Sequence, residues 1–313
     1  MFLKMVPEGT NIKFLKWKKV ALAFSVAMML GSIGLFAAFG LNIGIDFAGG
    51  TMIQVKTEAP ADVGQFREII GGLDLGDFSI QEFGSNQEFL IRIQSDADDK
   101  ENQAAIARLV KDALNAQIQG LSFEREEFVG PKVSEELVRD GILAVLFAVG
   151  AVLIYIWFRF EWHFGVGAVI ALAHDVILTI GFFAVTRLEF NLSIIAAILT
   201  IIGYSLNDTV VVYDRIREKL RKYRKMELED LLDMAINKTL NRTVMTSVTT
   251  LLALFALFFF GGEVIRGFTA AMIWGVFVGT YSSIFIATPL LVYLKLKQSD
   301  VSLGDVETTT PQT

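Results

Sequence analysis

Six apolar stretches decide what this chain can become. Segments 20–41, 141–158, 165–186, 191–213, 244–260 and 268–294 are each long and apolar enough to cross a bilayer as a helix, which takes about 20 residues. The rest of the composition agrees. With 53% of its residues hydrophobic and only 20% charged, the chain lacks the charge that a water-facing surface requires. It has no Cys, which excludes disulfides, thiolate metal sites and a cysteine nucleophile. Its two histidines, His163 and His174, leave little for a metal centre. No G-x-x-x-x-G-K-[ST] loop occurs, so the chain carries no visible ATPase. Neither a cofactor nor an enzymatic activity is expected, and a net charge of −6 gives no global attraction to nucleic acid.

Orientation follows from where Lys and Arg cluster beside the spans. Lys4, Lys13, Lys16, Lys18 and Lys19 precede the first span against a single acid, Glu8. Segment 214–243 carries nine basic residues, and Lys295 and Lys297 follow the last span. Alternation of six spans puts these segments on one side, so both termini are expected in the cytoplasm. Trp17, Trp157, Trp162 and Tyr213 stand near span ends, where aromatic rings anchor at the interface. A cleavable signal peptide is the competing view of the start. The first apolar run of about 22 residues exceeds the usual ~7–15 of such a signal, which favours an uncleaved span.

The expected organisation is a cytoplasmic segment 1–19, a first span 20–41, an extracytoplasmic domain 42–138, and spans two to six within 139–294. Segment 214–243 is the cytoplasmic connection within that last part, and a polar tail, 295–313, is expected to be disordered. Inside the outer domain, 50–57 alternates as a strand. Pro60 and Asp62 open a helix carrying Val63, Phe66, Ile69 and Ile70 on one face. Strands are expected at 77–83 and 88–94 around a turn at 84–86, a helix at 98–118 and a last strand at 122–129. That β-α-β-β-α-β order is the ferredoxin-like split unit, an α+β fold. In the cytoplasmic connection, Leu228, Leu231, Leu232, Ala235, Ile236 and Leu240 recur at helical spacing, as an amphipathic helix on a membrane surface or partner, or as a cap over the bundle.

Ionisable groups at membrane depth cost about 2.5–3.5 kcal/mol each on insertion scales and demand a partner or a purpose. Asp175 lies about 15 Å along the third span, near the midplane, directly after His174. Asp208 lies about 26 Å along the fourth, in its cytoplasmic half, with Ser205 and Asn207 nearby. Arg242 opens the fifth at a compatible depth, above a hydroxyl-rich run that includes Thr243, Thr246, Ser247, Thr249 and Thr250. A carboxylate near an arginine and several hydroxyls suits proton uptake; the structural alternative is a fixed contact that glues helices together. An intramembrane aspartyl protease would need two carboxyls sharing one proton. Asp175 and Asp208 differ in depth and neither stands in Gly-x-Gly-Asp.

Several longer motifs are more specific. They are Ile45-Asp-Phe-Ala-Gly-Gly-Thr51, Gly130-Pro-Lys-Val-Ser134, Ala173-His-Asp-Val176, the run from Ile202 to Glu218 around Asp208, and Asn241-Arg-Thr-Val-Met-Thr-Ser247. Over nearly its whole length the chain resembles the SecF subunits of the bacterial Sec protein-export machinery. The resemblance implies half of an RND-type transporter, paired with SecD into a twelve-span unit in the bacterial inner membrane. It further implies association with the SecYEG channel, at times with YajC, and use of the proton-motive force to help a translocating polypeptide. It assigns the proton pathway to Asp208 and Arg242, with Asp175, Asn207 and Thr246 as further candidates. Gly49, Gly50, Gly130 and Pro131 mark the hinge motifs of the outer domain. Two other classes stay open on the residues alone: a self-sufficient RND-like proton-coupled transporter of small solutes acting as a homo-oligomer, and a scaffold that binds through its outer domain.

Overall fold

The computed structural model describes residues 7, 9–83, 85–94 and 100–297. The expected tail from 298 onward, Lys4, Glu8, Gly84 of the expected turn and the first two residues of the expected 98–118 helix lie outside them. A 3-10 turn, Phe14–Trp17, leads into α1 (Lys18–Phe39), which stops at Gly40 because that residue turns to a φ of +60°. A two-residue strand, β1 (Asn42–Ile43), and a single turn, α2 (Ile45–Ala48), then enter the sheet domain. Its elements are β2 (Gly50–Thr57), α3 (Val63–Gly71), β3 (Phe78–Phe83), β4 (Ser85–Ile93), α4 (Lys100–Gln117) and β5 (Leu121–Val129).

The sheet is antiparallel with order β3-β4-β2-β5. Strand alternation sends Ile53, Val55, Phe89, Ile91 and Ile93 to one face, against Phe66 and Ile70 of α3 and Val110 and Leu114 of α4. Burying each such side chain contributes about 1.5–3 kcal/mol. Asp62 caps α3 by accepting from the Gly64 amide at 3.0 Å, a contact of about 1 kcal/mol. The opposite face carries Met52 and Leu90, which pack on Ile45 of α2. On the strand pair β2–β4, the Lys56 ammonium donates to the Glu88 carboxylate at 2.8 Å, which raises the lysine pKa above its ordinary value. The expected turn proves tighter, since Ser85 already belongs to β4.

Six helical passes follow from the apolar runs. After α1 come α5 (Pro131–Arg159), α6 (Trp162–Thr186), a two-residue β6 (Glu189–Phe190), α7 (Leu192–Lys222) and α8 (Leu228–Phe260). The last pass is α9 (Glu263–Ser282), a π turn (Ser283–Ala287) and α10 (Thr288–Tyr293). Pro289 explains the π turn: it has no N–H for the fourth preceding carbonyl and its ring crowds that turn. The Thr288 hydroxyl donates to the Ser283 carbonyl five residues back, at 3.0 Å. The passes α6, α7 and α9–α10 form the interior, while α1, α5 and α8 lie outside them.

Two expected boundaries fall inside helices. The border at 138/139 lies within α5, which starts at Pro131, a residue pre-set for a first helical turn. The amphipathic stretch around 228–240 is the beginning of α8, continuous with the fifth span rather than a separate helix. Its Leu231, Leu232, Ala235 and Ile236 pack with Leu15, Ile216, Leu220 and Leu291 in a core at the end remote from the sheet. The N-terminal segment is strapped there by the Leu15 amide donating to Asp233 at 3.0 Å and the Ile12 amide to Asn237 at 2.9 Å.

The sheet domain is held to the bundle at several points. Strand β1 pairs in parallel with β6, the turn between α6 and α7, a pairing two residues long that carries no periodic signal. Arg187, left-handed at φ +57°, donates to the Phe39 and Gly40 carbonyls that end α1. Arg92 of β4 meets Glu189 at 2.6 Å. Leu192 N–H donates to Asp46 at 2.8 Å. Beneath the sheet, a cavity of about 660 Å³ separates Gln54, Arg92 and Arg125 from Phe182, Phe258 and Arg266.

Candidate functional site

The polar groups expected at membrane depth form one buried seam across four helices. Asp175 sits mid-way along α6, 1% exposed. Its Oδ1 lies 2.9 Å from His174 Nδ1, and its Oδ2 accepts from Ser205 of α7 at 2.5 Å and Ser282 of α9 at 2.8 Å. Three residues beyond Ser205, on the same helical face, stands Asp208. Its Oδ1 accepts from Thr243 of α8 at 2.6 Å, and its Oδ2 from Ser283 at the start of the π turn. Ser247, one turn after Thr243, shares a 2.8 Å hydrogen bond with Thr280. The seam therefore runs from His174 to Ser247, and α9 with its π turn lends a hydroxyl to each part.

Both carboxylates are supplied by hydroxyl groups. Among the described residues, no Lys or Arg lies within 4 Å of either one, and Asp175's ion-pair partner is His174. Arg242 acts on Asp208 only as a charge at longer range. This matters chemically. An arginine only donates and would hold a carboxylate ionised, whereas a Ser or Thr hydroxyl donates to a carboxylate and, after rotating, accepts from a carboxylic acid. The Asp208 cradle serves either protonation state without leaving a buried polar atom bare.

The remaining sequence candidates lie elsewhere. Asn207, Arg242 and Thr246 are exposed on the outer faces of α7 and α8. Thr246 donates only to carbonyls of its own helix, those of Arg242 and Thr243. The structure thus brings Asp175 and Asp208 into one seam and leaves these three on a polar face outside it. Ser282 and Ser283 were not anticipated. Their signal was present in the sequence as two adjacent hydroxyls inside an apolar run, six residues ahead of Pro289.

The motifs expected as hinges lie close together in space. Gly49, at φ +70°, packs where a Cβ would meet Ser134 Oγ at 3.3 Å and Pro131 Cα at 3.6 Å. Gly50, at φ +110°, has its missing Cβ aimed at the Ile93 carbonyl. Gly130 is the single residue between β5 and α5. The two chain segments that connect sheet domain to spans are therefore in contact.

Comparison with known proteins agrees along the chain. Residues 109–297 match the family described as Protein export membrane protein SecD/SecF, C-terminal, and residues 34–61 match the SecD/SecF GG Motif. A protein translocase subunit SecF of Rickettsia bellii is 45% identical over 297 residues, covering 95% of this chain and 97% of its own. The corresponding subunit of Rhodobacter capsulatus is 46% identical over 309 residues, covering 95% and 93%. Among solved structures, SecDF of Thermus thermophilus superposes with a TM-score of 0.84 at 37% identity. That match covers 94% of this chain and 40% of the SecDF chain, so the chain spans less than half of that protein. SecDF in a super-membrane-facing form gives 0.68 at 36% identity over the same shares.

Proposed function

The chain belongs to the SecD/SecF family of protein-export membrane proteins, and from that membership we propose that it converts proton movement at Asp208 into assistance for a polypeptide leaving the SecYEG channel. Its place as a multi-pass inner-membrane subunit of Sec protein export follows from the family. The working unit pairs it with SecD, and YajC is an accessory partner. Support for the pairing comes from the solved SecDF chain, of which this chain covers 40%. Both termini face the cytoplasm. The sheet domain, whose strand order suits a ferredoxin-like split unit, stands outside the membrane.

One observation carries the proton reading: a buried carboxylate, Asp208, held by Thr243 and Ser283 hydroxyls from two neighbouring passes. A proton arriving there removes the charge and lets both hydroxyls rotate, which changes what α8 and the π turn hold. Arg242 and Asn207, exposed in the isolated chain, supply a polar face along which SecD packs and protons approach, with Thr246 beside them. Asp175 supports the second part of the seam. Gly49, Gly50, Gly130 and Pro131 act as the pivot through which repacking of the spans reaches the sheet domain. A proton crossing about 100 mV yields about 2.3 kcal/mol, enough to bias two arrangements of a domain. The fall in TM-score from 0.84 to 0.68 at nearly equal identity and equal coverage supports two such arrangements among relatives.

The test is Asp208→Asn in the reconstituted complex with a proton gradient imposed. The expected result is normal assembly with loss of gradient-dependent stimulation of export, and full stimulation would sink the proposal. Replacing Arg242 with Leu separates this reading from a scaffold, for which no loss follows. A SecD-type partner in a pull-down, rather than a homodimer that binds a small solute, separates it from a self-sufficient transporter.

A further inference from the structure

We infer that His174 and Asp175 form a second proton-holding site, linked to Asp208 through the adjacent hydroxyls of Ser282 and Ser283. The inference rests on the proton role proposed for Asp208. His174 is completely buried, and its Nε2 has no hydrogen-bond partner. A buried polar atom left bare is costly and rare in folded proteins. Its other nitrogen, Nδ1, lies 2.9 Å from Asp175 Oδ1. With Asp175 ionised, that contact requires the hydrogen on Nδ1, and the free lone pair then stands on Nε2. A proton taken up there produces an imidazolium whose charge is opposed by the carboxylate at the other nitrogen. No proton has to leave Asp175, whose Oδ2 keeps both of its hydroxyl donors.

The surroundings favour a held proton over a passing one. Across from the imidazole, α9 presents the Tyr281 ring, stacked with centroids 6.2 Å apart. The Tyr281 hydroxyl is occupied with the Ala21 carbonyl and Ser25 of α1, each at 3.0 Å. From α7, Ser205 donates to Asp175 Oδ2, and Asp208 stands three residues further along that helix. Asp175 and Tyr281 are thus the titratable groups in contact with the ring, and Asp208 is reached from Asp175 through Ser282 and Ser283.

The link to Asp208 is two residues long. Ser282 donates to Asp175 and Ser283 to Asp208, and Ser283 is also the first residue of the π turn. Single π turns mark functional sites in many helices, and here the turn begins where the two carboxylates meet one backbone. Removing the charge at Asp208 lets the Ser283 hydroxyl turn from donor to acceptor, and the shared peptide carries any adjustment to Ser282 and so to the His174–Asp175 pair.

Because the chain has two histidines, the ring can be observed alone. The full chain with His163→Gln, assembled with its SecD-type partner in lipid nanodiscs, is labelled with ring-nitrogen-15 histidine and titrated between about pH 5 and pH 9. The expected result is a neutral Nδ1–H ring that gains a proton at Nε2 on acidification. Asp208→Asn is expected to displace the midpoint by at least about half a pH unit, and Ser282→Ala to abolish that displacement. A ring that keeps one form throughout overturns the second proton-holding site, and a smaller displacement in Asp208→Asn overturns its link to Asp208. A displaced midpoint with full export stimulation in Asp208→Asn overturns only the function proposed for Asp208. Lost stimulation with an unmoved midpoint overturns only the link to His174.

Discussion

The Thr243 hydroxyl donates to Asp208 Oδ1 at 2.6 Å, and that bond ties α8 to α7 at the level of the buried carboxylate. It also places the residue next to Arg242, rather than Arg242 itself, against the acid. The arginine's side chain points to the outer face of the bundle, and the hydroxyl points in, as neighbouring positions about 100° apart on one helix must.

Thr243→Val keeps the shape and removes the donor. Losing one hydrogen bond to a buried charged group costs about 1–3 kcal/mol. Gradient-driven export is expected to fall about tenfold while the complex still assembles. Thr249→Val, at an exposed position bonded only to its own helix, is the comparison and is expected to change stability by less than about 0.5 kcal/mol. Export assays on both variants, with thermal unfolding, check the difference.

Gly50→Ala forces a Cβ onto the Ile93 carbonyl at a φ of +110°, a conformation that side chains avoid. A loss of at least about 2 kcal/mol is expected, read as faster proteolysis and earlier melting of the sheet domain. Gly34→Ala, whose Cβ meets nothing within 4 Å, is expected to be neutral in the same assay.

Gly181 on α6 lies so close to Ser32 of α1 that an added Cβ would overlap the Ser32 side chain and crowd its Cα. Gly181→Ala is expected to destabilise the α1–α6 contact by about 1–3 kcal/mol. Ser32→Gly in the same chain is expected to recover most of that loss. Unequal melting of the single variant and the pair would verify that the fit is reciprocal.

Arg92 and Glu189 pair at 2.6 Å with the arginine side chain only 8% exposed. Breaking a buried pair leaves its partner uncompensated, at a cost of about 3–5 kcal/mol for a fully buried one. A double-mutant cycle with Arg92→Gln and Glu189→Gln is expected to give a coupling of at least about 1 kcal/mol. Hydrogen exchange at Asn42–Ile43 and Glu189–Phe190 is expected to quicken in either single variant, because the β1–β6 pairing sits beside the ion pair.

Apolar runs and strand alternation made most of the architecture readable in advance. The span count, β2 at 50–57 and the helix opened by Asp62 all rest on local periodicity and capping, which a sequence displays directly. The misses share a different origin. The start of α5 at Pro131 and the fusion of 228–240 with the fifth span follow from helices continuing beyond the bilayer, where apolarity no longer marks them. Pairing of β1 with β6 joins residues far apart in sequence over two positions, too short for any pattern. Asp175 and Asp208 announced themselves as acids in apolar runs. Ser282 and Ser283 stayed hidden because hydroxyls are common packing groups in spans, and only three-dimensional adjacency shows which ones meet a carboxylate.

The uninterrupted α5 has a mechanical meaning. About ten of its residues precede the apolar run that begins at Gly141, which makes an arm of about 15 Å with one residue, Gly130, between it and the last strand of the sheet. A rod of that length tilting by about 20° sweeps its tip through about 5 Å. Gly49 rests against the tip of the same rod, beside Pro131 and Ser134. In the proposed function, a rotation of about 20° inside the bilayer would reach the sheet through this arm as a displacement of about one strand spacing, about 4.8 Å.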